Sequence, residues 1–229
     1  MLKHRSIIFS HLVLGIGLSI LVSSCSVTAN TGASASNIPH PKEDIPASSA
    51  TGKQVAVFAG GCFWGMEAVF EHLKGVDSVV SGFSGGDART AAYEIVSSGQ
   101  TDHAESVKIT YDPSIISYGQ LLEIYFSVAH DPTQLNRQGP DSGRQYRSAI
   151  FFANDQQEKV AHSYIQQLDK SHAFKKPIVT EIVPLHEFYP AEEYHQNFIK
   201  NHPNYPYVVV NDLPKLQQLK TQYSSLYTP

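Results

Sequence analysis

The sequence predicts an α+β protein: a two-layer sandwich with a ferredoxin-like split βαβ core and long wrapping loops. Three observations carry this expectation. A strand–helix–strand order occurs twice along the chain. Segments 54–59 and 147–153 are apolar on both faces, as central strands are. Segment 103–111 alternates, with Glu105, Val107, Ile109 and Tyr111 on one side and Ala104, Ser106, Lys108 and Thr110 on the other. No internal repeat interrupts this order, so one domain plus extensions is expected of 229 residues.

Taken in order, the chain opens with the positive residues Lys3, His4 and Arg5. A mostly apolar stretch, 7–22, follows, broken by Ser10 and His11. It is short for a bilayer-spanning helix, which needs about 20 apolar residues, and residues 1–24 read as a signal peptide. The stretch ends in "LVSSCS", where Cys25 resembles the lipobox cysteine of bacterial lipoproteins, a lipid anchor on the periplasmic side of a bacterial membrane. Ser26 rather than Asp after it points to the outer membrane. The alternative is an ordinary signal peptide with Cys25 near a small-residue cleavage site. Residues 26–53, rich in Ser, Ala, Thr, Asn and Pro, lack large apolar groups to bury and read as a flexible tether. The folded domain is expected over 54–229.

Within it, strand 54–59 is broken by Gly60-Gly61. A helix over 63–74 follows, with Met66, Val69, Phe70 and Leu73 at i, i+3, i+4, i+7 spacing and Gly75 ending it. Strand 76–83 closes in "GFSGGD", and 84–102 reads mostly as loop. After strand 103–111, "SYGQ" carries a capping-box pattern that starts helix 117–129. A long loop, 131–146, leads to strand 147–153. Helix 155–170 buries Val160, Tyr164 and Leu168, and strand 178–184 follows. A short helix is expected from Pro190, with Tyr194 and Phe198 one turn apart, and a last one from 214.

The net charge of −4 argues against a nucleic-acid partner, which needs a basic face, and against anionic lipid bound by charge alone. The eleven histidines show no HExxH or other paired metal spacing, so no metal is expected. "GFSGG" has no P-loop lysine, which leaves phosphate binding weak.

Chemistry concentrates at Cys62, the single cysteine of the domain, in "FAGGCFWGMEAVF". It stands where a strand ends and a helix begins, a place that favours thiolate and a depressed pKa. Gly61 and Gly65 would let backbone amides approach whatever meets the sulfur. Phe63 and Trp64, 100° apart on a helix, cannot both face one core, so at least one should line a pocket. A buried structural cysteine packed by aromatics fits equally. A thioredoxin-type CxxC would need a cysteine where Gly65 stands. A cysteine protease would need a histidine partner that nothing local supplies. Glu105, on the apolar row of its strand, is poorly placed for a carboxylate unless it has work there.

These residues resemble the peptide methionine sulfoxide reductase A family. "GCFWG", "YEIVSSGQTDHAE" (93–105), "GPDSGRQYRSAI" (139–150) and "AEEYHQNF" (191–198) match that family's motifs, in the same order, over about 54–212. The resemblance implies reduction of methionine S-sulfoxide, free or in proteins, hence repair of oxidised proteins. It implies Cys62 as the nucleophile that becomes a sulfenic acid, and Glu105 as the acid that protonates the sulfoxide oxygen. It also implies Tyr93 and Tyr146 as donors to that oxygen, Phe63 and Trp64 as the grip on the methyl group, and Asp141 as a contact to the polar end or an organiser. From the residues alone, the two tyrosines fit a core with satisfied hydroxyls, Asp141 fits a plain turn, and His195 reads as structural.

The chain departs from many family members in one respect: "HPNYPYVVVNDLPKLQQLK" has no resolving cysteine. The resemblance then implies no bound cofactor and an external thiol reductant, whether thioredoxin, glutaredoxin or glutathione. Two other readings stay open: a binding module for oxidised methionine that has lost turnover, and a thiol peroxidase.

Overall fold

In the computed structural model, residues 38–47 and 52–229 are described. The signal-peptide and Cys25 expectations lie outside them. Among the described residues no helix is long and apolar enough to cross a membrane.

The domain opens with β1 (Gln54–Gly60), then α1 (Phe63–Glu71) and β2 (Val76–Ser84). The one-turn helix α2 (Tyr93–Val96) interrupts the segment expected as loop, and β3 (Ala104–Tyr111) follows. Helix α3 (Tyr118–Ile124) starts from the expected capping box: Ser117 accepts from Gln120 N–H and Gln120 reaches back. A π turn, Tyr125–Ala129, extends it. The long loop contains a small hairpin, β4 (Arg137–Gln138) and β5 (Asp141–Ser142). Then come β6 (Ser148–Phe152), α4 (Asp155–Lys170), β7 (Glu181–Pro184) and β8 (Phe188–Pro190). Three short helices close the chain: α5 (Phe198–Asn201), α6 (Pro206–Asn211) and α7 (Leu213–Gln222).

Six strands form one sheet in the order β7-β6-β1-β3-β2-β8. The central four, β6-β1-β3-β2, are antiparallel neighbours. Each crossover, β1-α1-β2 and β3-α3-β6, skips one strand, which is the split βαβ arrangement expected. One face packs the main core: Val107, Ile109 and Tyr111 of β3 meet Met66, Val69 and Phe70 of α1, Leu121 of α3, and Val160 and Tyr164 of α4. Val57, Ala59, Ala104, Ala149 and Phe151 make a smaller cluster on the other face.

Three expectations are corrected. Residues 38–47 are no tether: Ile38 is buried in the main core, and Pro39 and His40 carbonyls accept from Tyr164 Oη and Gln167 Nε2. Asp44 accepts from Ser117 Oγ and Gly119 N–H at the start of α3. One isoleucine and a helix-capping carboxylate suffice to dock a segment whose composition is otherwise polar. No helix starts at Pro190, which instead ends β8; a 3₁₀ turn, Glu193–His195, follows, and Tyr194 is 59% exposed. The tail carries two helices and not one, and it wraps α1: Ala68 packs with Ile199 and Val208, and Trp64, Phe198, Leu213 and Leu216 join them. Helix α1 is therefore buried nearly all round, which its apolar stripe alone does not require.

Candidate active site

The site forms where β1 runs out. Its register with β3 pairs Phe58 with Val107 and Ala59 with Ser106, so the end of β1 delivers Cys62 beside Glu105. Gly61 turns the chain with φ 93, a left-handed value that glycine takes without strain. Cys62 is then the N-cap of α1. Glu105 is 2% exposed, and its Oε2 accepts the Phe63 N–H at 3.0 Å. The nucleophile candidate and the acid candidate are thus tied together through one backbone amide.

Burial pushes the Glu105 carboxyl from the ordinary 4.5 to about 8; the Phe63 N–H opposes this and the charge of Asp141 adds to it. A shift of that size opposes ionisation by roughly 5 kcal/mol. At neutral pH Glu105 holds its proton.

The thiol corrects an expectation. Burial pushes Cys62 well above the usual thiol range, with Glu105, Asp212 and Asp141 adding to the rise. The Trp64 backbone N–H, at the start of the helix, works the other way and loses. A helix terminus does favour thiolate, but desolvation and surrounding carboxylates outweigh it here. The resting sulfur is a thiol. Gly65 also has a different use from the one expected. A Cβ at this position would collide with Asp212 Oδ1, so the glycine admits a side chain of the chain's own tail.

The remaining expected residues assemble round the same cleft. Tyr93, on α2, and Tyr146, after β5, are both half-buried, and burial together with the charges of Glu105 and Cys62 raises both hydroxyls, Tyr93 to about 12. Neither hydroxyl is spent on a core partner among the described residues, in contrast to Tyr125, which bonds Ala59 O and Ser148. Asp141 accepts from the Tyr207 hydroxyl and is held up by burial. It is more than a turn residue. Phe63 is 1% exposed, against Phe83 and His195; Trp64 reaches a surface cavity of about 550 Å³, but that cavity is lined by Glu67, Glu71, Asn197 and Lys200 and by neither Cys62 nor Glu105, so it is distinct from the cleft at Cys62. His195 is structural in the sense expected: 2% exposed, its Nδ1 accepts Trp64 Nε1–H at 3.2 Å.

Sequence reasoning missed Tyr207, Asp212 and Lys215. Asp212 is fully buried, 3.5 Å from Lys215 Nζ, and raises the Cys62 thiol. They stand about 150 positions from Cys62, and no periodicity connects them to it. Among the described residues no group of His, Cys, Asp and Glu could hold a metal ion.

Comparison with known proteins agrees with this geometry. A family model described as peptide methionine sulfoxide reductase matches residues 54–226. Peptide methionine sulfoxide reductase MsrA 2 of Mesorhizobium japonicum is 59% identical over 180 residues, 79% of this chain and 92% of that protein. The MsrA 2 of Synechocystis is 54% identical over 210 residues, 91% of this chain and 96% of that protein. The reduced form of Mxr1 from Saccharomyces cerevisiae superposes with a TM-score of 0.63 at 31% identity, covering 71% of this chain and 91% of that one. Methionine sulfoxide reductase A of Corynebacterium diphtheriae does so at 0.58 and 35%, covering 67% and 77%. A lone thiol beside a protonated carboxyl, in a chain this similar to those relatives over nearly their whole length, places it in the peptide methionine sulfoxide reductase A family, as a peptide-methionine (S)-S-oxide reductase.

Proposed function

We propose that the chain reduces methionine S-sulfoxide through attack of Cys62 on the sulfoxide sulfur, with Glu105 as the acid. The observation that carries this reading is the Glu105 carboxyl, buried, protonated at neutrality and tied to Phe63 N–H. A sulfoxide oxygen leaves poorly unless protonated, so an acid is what the reaction needs. Oε2 is occupied by the amide, which leaves Oε1 to present the proton.

The sulfoxide oxygen lies toward Glu105, Tyr93 and Tyr146, whose hydroxyls, held protonated, donate to it. Phe63 and Trp64 hold the methyl group. Asp141, steadied by Tyr207, meets the polar end of the substrate. Because the sulfur is chiral, one fixed donor set and one aromatic wall accept one epimer. As Cys62 Sγ bonds to the sulfoxide sulfur, Glu105 protonates the oxygen and recovers a proton from the thiol; the hydroxyl then shifts from the methionine sulfur to Sγ as the sulfur–sulfur bond breaks. The oxygen ends on Cys62 as sulfenic acid, methionine leaves, and two electrons pass from the cysteine sulfur to the methionine sulfur. Protons are conserved.

No second cysteine exists in the domain to close a disulfide. An external thiol therefore condenses with the sulfenic acid, releasing water, and a second thiol equivalent frees Cys62. Thioredoxin, a glutaredoxin or glutathione has the required chemistry. Cys25, acylated, would hold this enzyme on the periplasmic side of a bacterial membrane, where oxidised proteins are the substrate.

A single-turnover experiment tests the reading. Without reductant, the protein is expected to release one equivalent of methionine and to gain one oxygen in mass at Cys62. Continuous turnover without added thiol, or an unmodified Cys62 after product release, overturns it.

A further inference from the structure

Three residues after Trp64 on α1 stands Glu67, a carboxylate only 1% exposed that no step above uses. Burying a carboxyl is costly unless it is hydrogen-bonded, and burial raises this one to about 7. Both its oxygens accept one backbone N–H, that of Asn197, at 3.1 Å each. Asn197 is left-handed, with φ 53, and is the N-cap of α5, a helix of four residues too short to hold its own position.

What flanks that amide gives it meaning. Phe198, the next residue, stacks on Trp64 with ring centroids 3.6 Å apart and planes 5° from parallel. His195, two residues before it, accepts the Trp64 indole N–H. The neighbouring Gln196 ties the other end of the segment to β2: it accepts Ser81 N–H at 2.9 Å and donates to the Ser81 and Ala191 carbonyls. Trp64 and Glu67 lie at i, i+3 on one helix face. The indole and the carboxylate on α1 thus grip the same short segment, and the segment grips the indole back.

We propose that Glu67 is a positioning residue for the reaction: by holding the Asn197 amide it sets Phe198 and His195, and through them the Trp64 indole that walls the sulfoxide pocket. This rests on the reading of Trp64 as the grip on the substrate methyl group. The requirement is an acceptor, not a charge. Glutamine can supply it, because its carbonyl takes the Asn197 N–H while its amide can donate to the buried Ser81 Oγ, the hydroxyl that already interacts with the Glu67 carboxylate.

Trp64 is the single tryptophan of the chain, so its emission reports the indole's surroundings without interference. Glu67→Ala is expected to shift that emission in the substrate-free protein. It should also raise KM for a methionine sulfoxide peptide about tenfold, the scale of one lost hydrogen bond, with kcat changed less than about threefold. Glu67→Gln should restore both readouts to within about twofold. A Glu67→Ala/Phe198→Leu double variant should be no worse than its worse parent, since both break one chain of contacts. Should the alanine variant not fold, Glu67→Asp, which withdraws the acceptor by one methylene, carries the same comparison. Wild-type emission and KM in the alanine or aspartate variant overturn the proposal; so does a glutamine variant as impaired as alanine, or full additivity in the double variant. An emission shift with unchanged KM would leave the latch standing and overturn the assignment of Trp64 to substrate.

Discussion

Two regions meet at the cleft, and they are built differently. The groups proposed to react lie on or next to regular elements: Glu105 is on β3, in the middle of the sheet, and Cys62 caps α1 two residues after β1 ends. The far wall comes from residues 190–215, where the helices α5 and α6 have four and six residues, and its positions are set by side-chain hydrogen bonds: Gln196 to Ser81, Tyr207 to Asp141, Asn197 to Glu67. Regular elements hold a geometry to fractions of an ångström, which proton and oxygen transfer require. An irregular wall, pinned at a few points, can vary among relatives without disturbing the sheet. The difference separates the elements that carry the proposed chemistry from the segment that braces them.

Substitutions can break or sharpen that separation. The largest effect belongs to Cys62→Ser, for which no methionine is expected from any sulfoxide substrate while the thermal transition stays near that of the wild type; residual turnover would remove the sulfur from the reaction. Glu105→Gln comes next. It keeps the shape and the acceptor for Phe63 N–H but loses the proton, so kcat/KM should fall about 10²- to 10⁴-fold, while alkylation of Cys62 continues. A loss under tenfold would place the acid elsewhere.

The same carboxyl sets a pH dependence. With Glu105 raised to about 8, kcat/KM should be flat through neutrality and fall toward tenfold per pH unit above about 8. Glu105→Gln should lack that limb. Stability follows the same group. Its folded pKa lies above the unfolded value, so its protonated form favours folding. That contribution is complete below about 4.5 and declines as pH rises toward 8. Urea titrations of wild type and Glu105→Gln should differ in pH slope between about 4.5 and 8, the glutamine variant lacking the decline; an unchanged slope would show that burial of Glu105 is incomplete.

The smallest effect belongs to the far wall. Tyr207→Phe removes the hydroxyl that Asp141 accepts, about 1 kcal/mol. A KM several-fold higher with kcat retained is expected from it. A fall in kcat equal to that of Glu105→Gln would erase the distinction between the two regions.

Legibility in the sequence divided along the same line. The strand order, the capping box at Ser117 and the core stripe Met66, Val69, Phe70 and Leu73 are periodic signals, and the structure has them in place. Glu105 was visible because it breaks an alternation: a charge on an apolar row. Ile38 and Asp44 escaped because two anchoring residues leave no pattern in a polar stretch. The Glu193–His195 turn and α5 escaped because their positions come from partners on α1 and β2, more than a hundred residues earlier.

What the sequence by itself determined is the architecture and the inventory: a split βαβ sheet, one thiol at the end of its first strand, and one carboxyl on the inner row of its neighbour. Backbone periodicity encodes these locally. Only the tertiary structure decided the protonation of that thiol, with Asp212 lodged over Gly65 and the tail closed around α1. Electrostatic environment is a sum over groups brought together by packing, and it depends on distances in space that spacing along the chain does not carry.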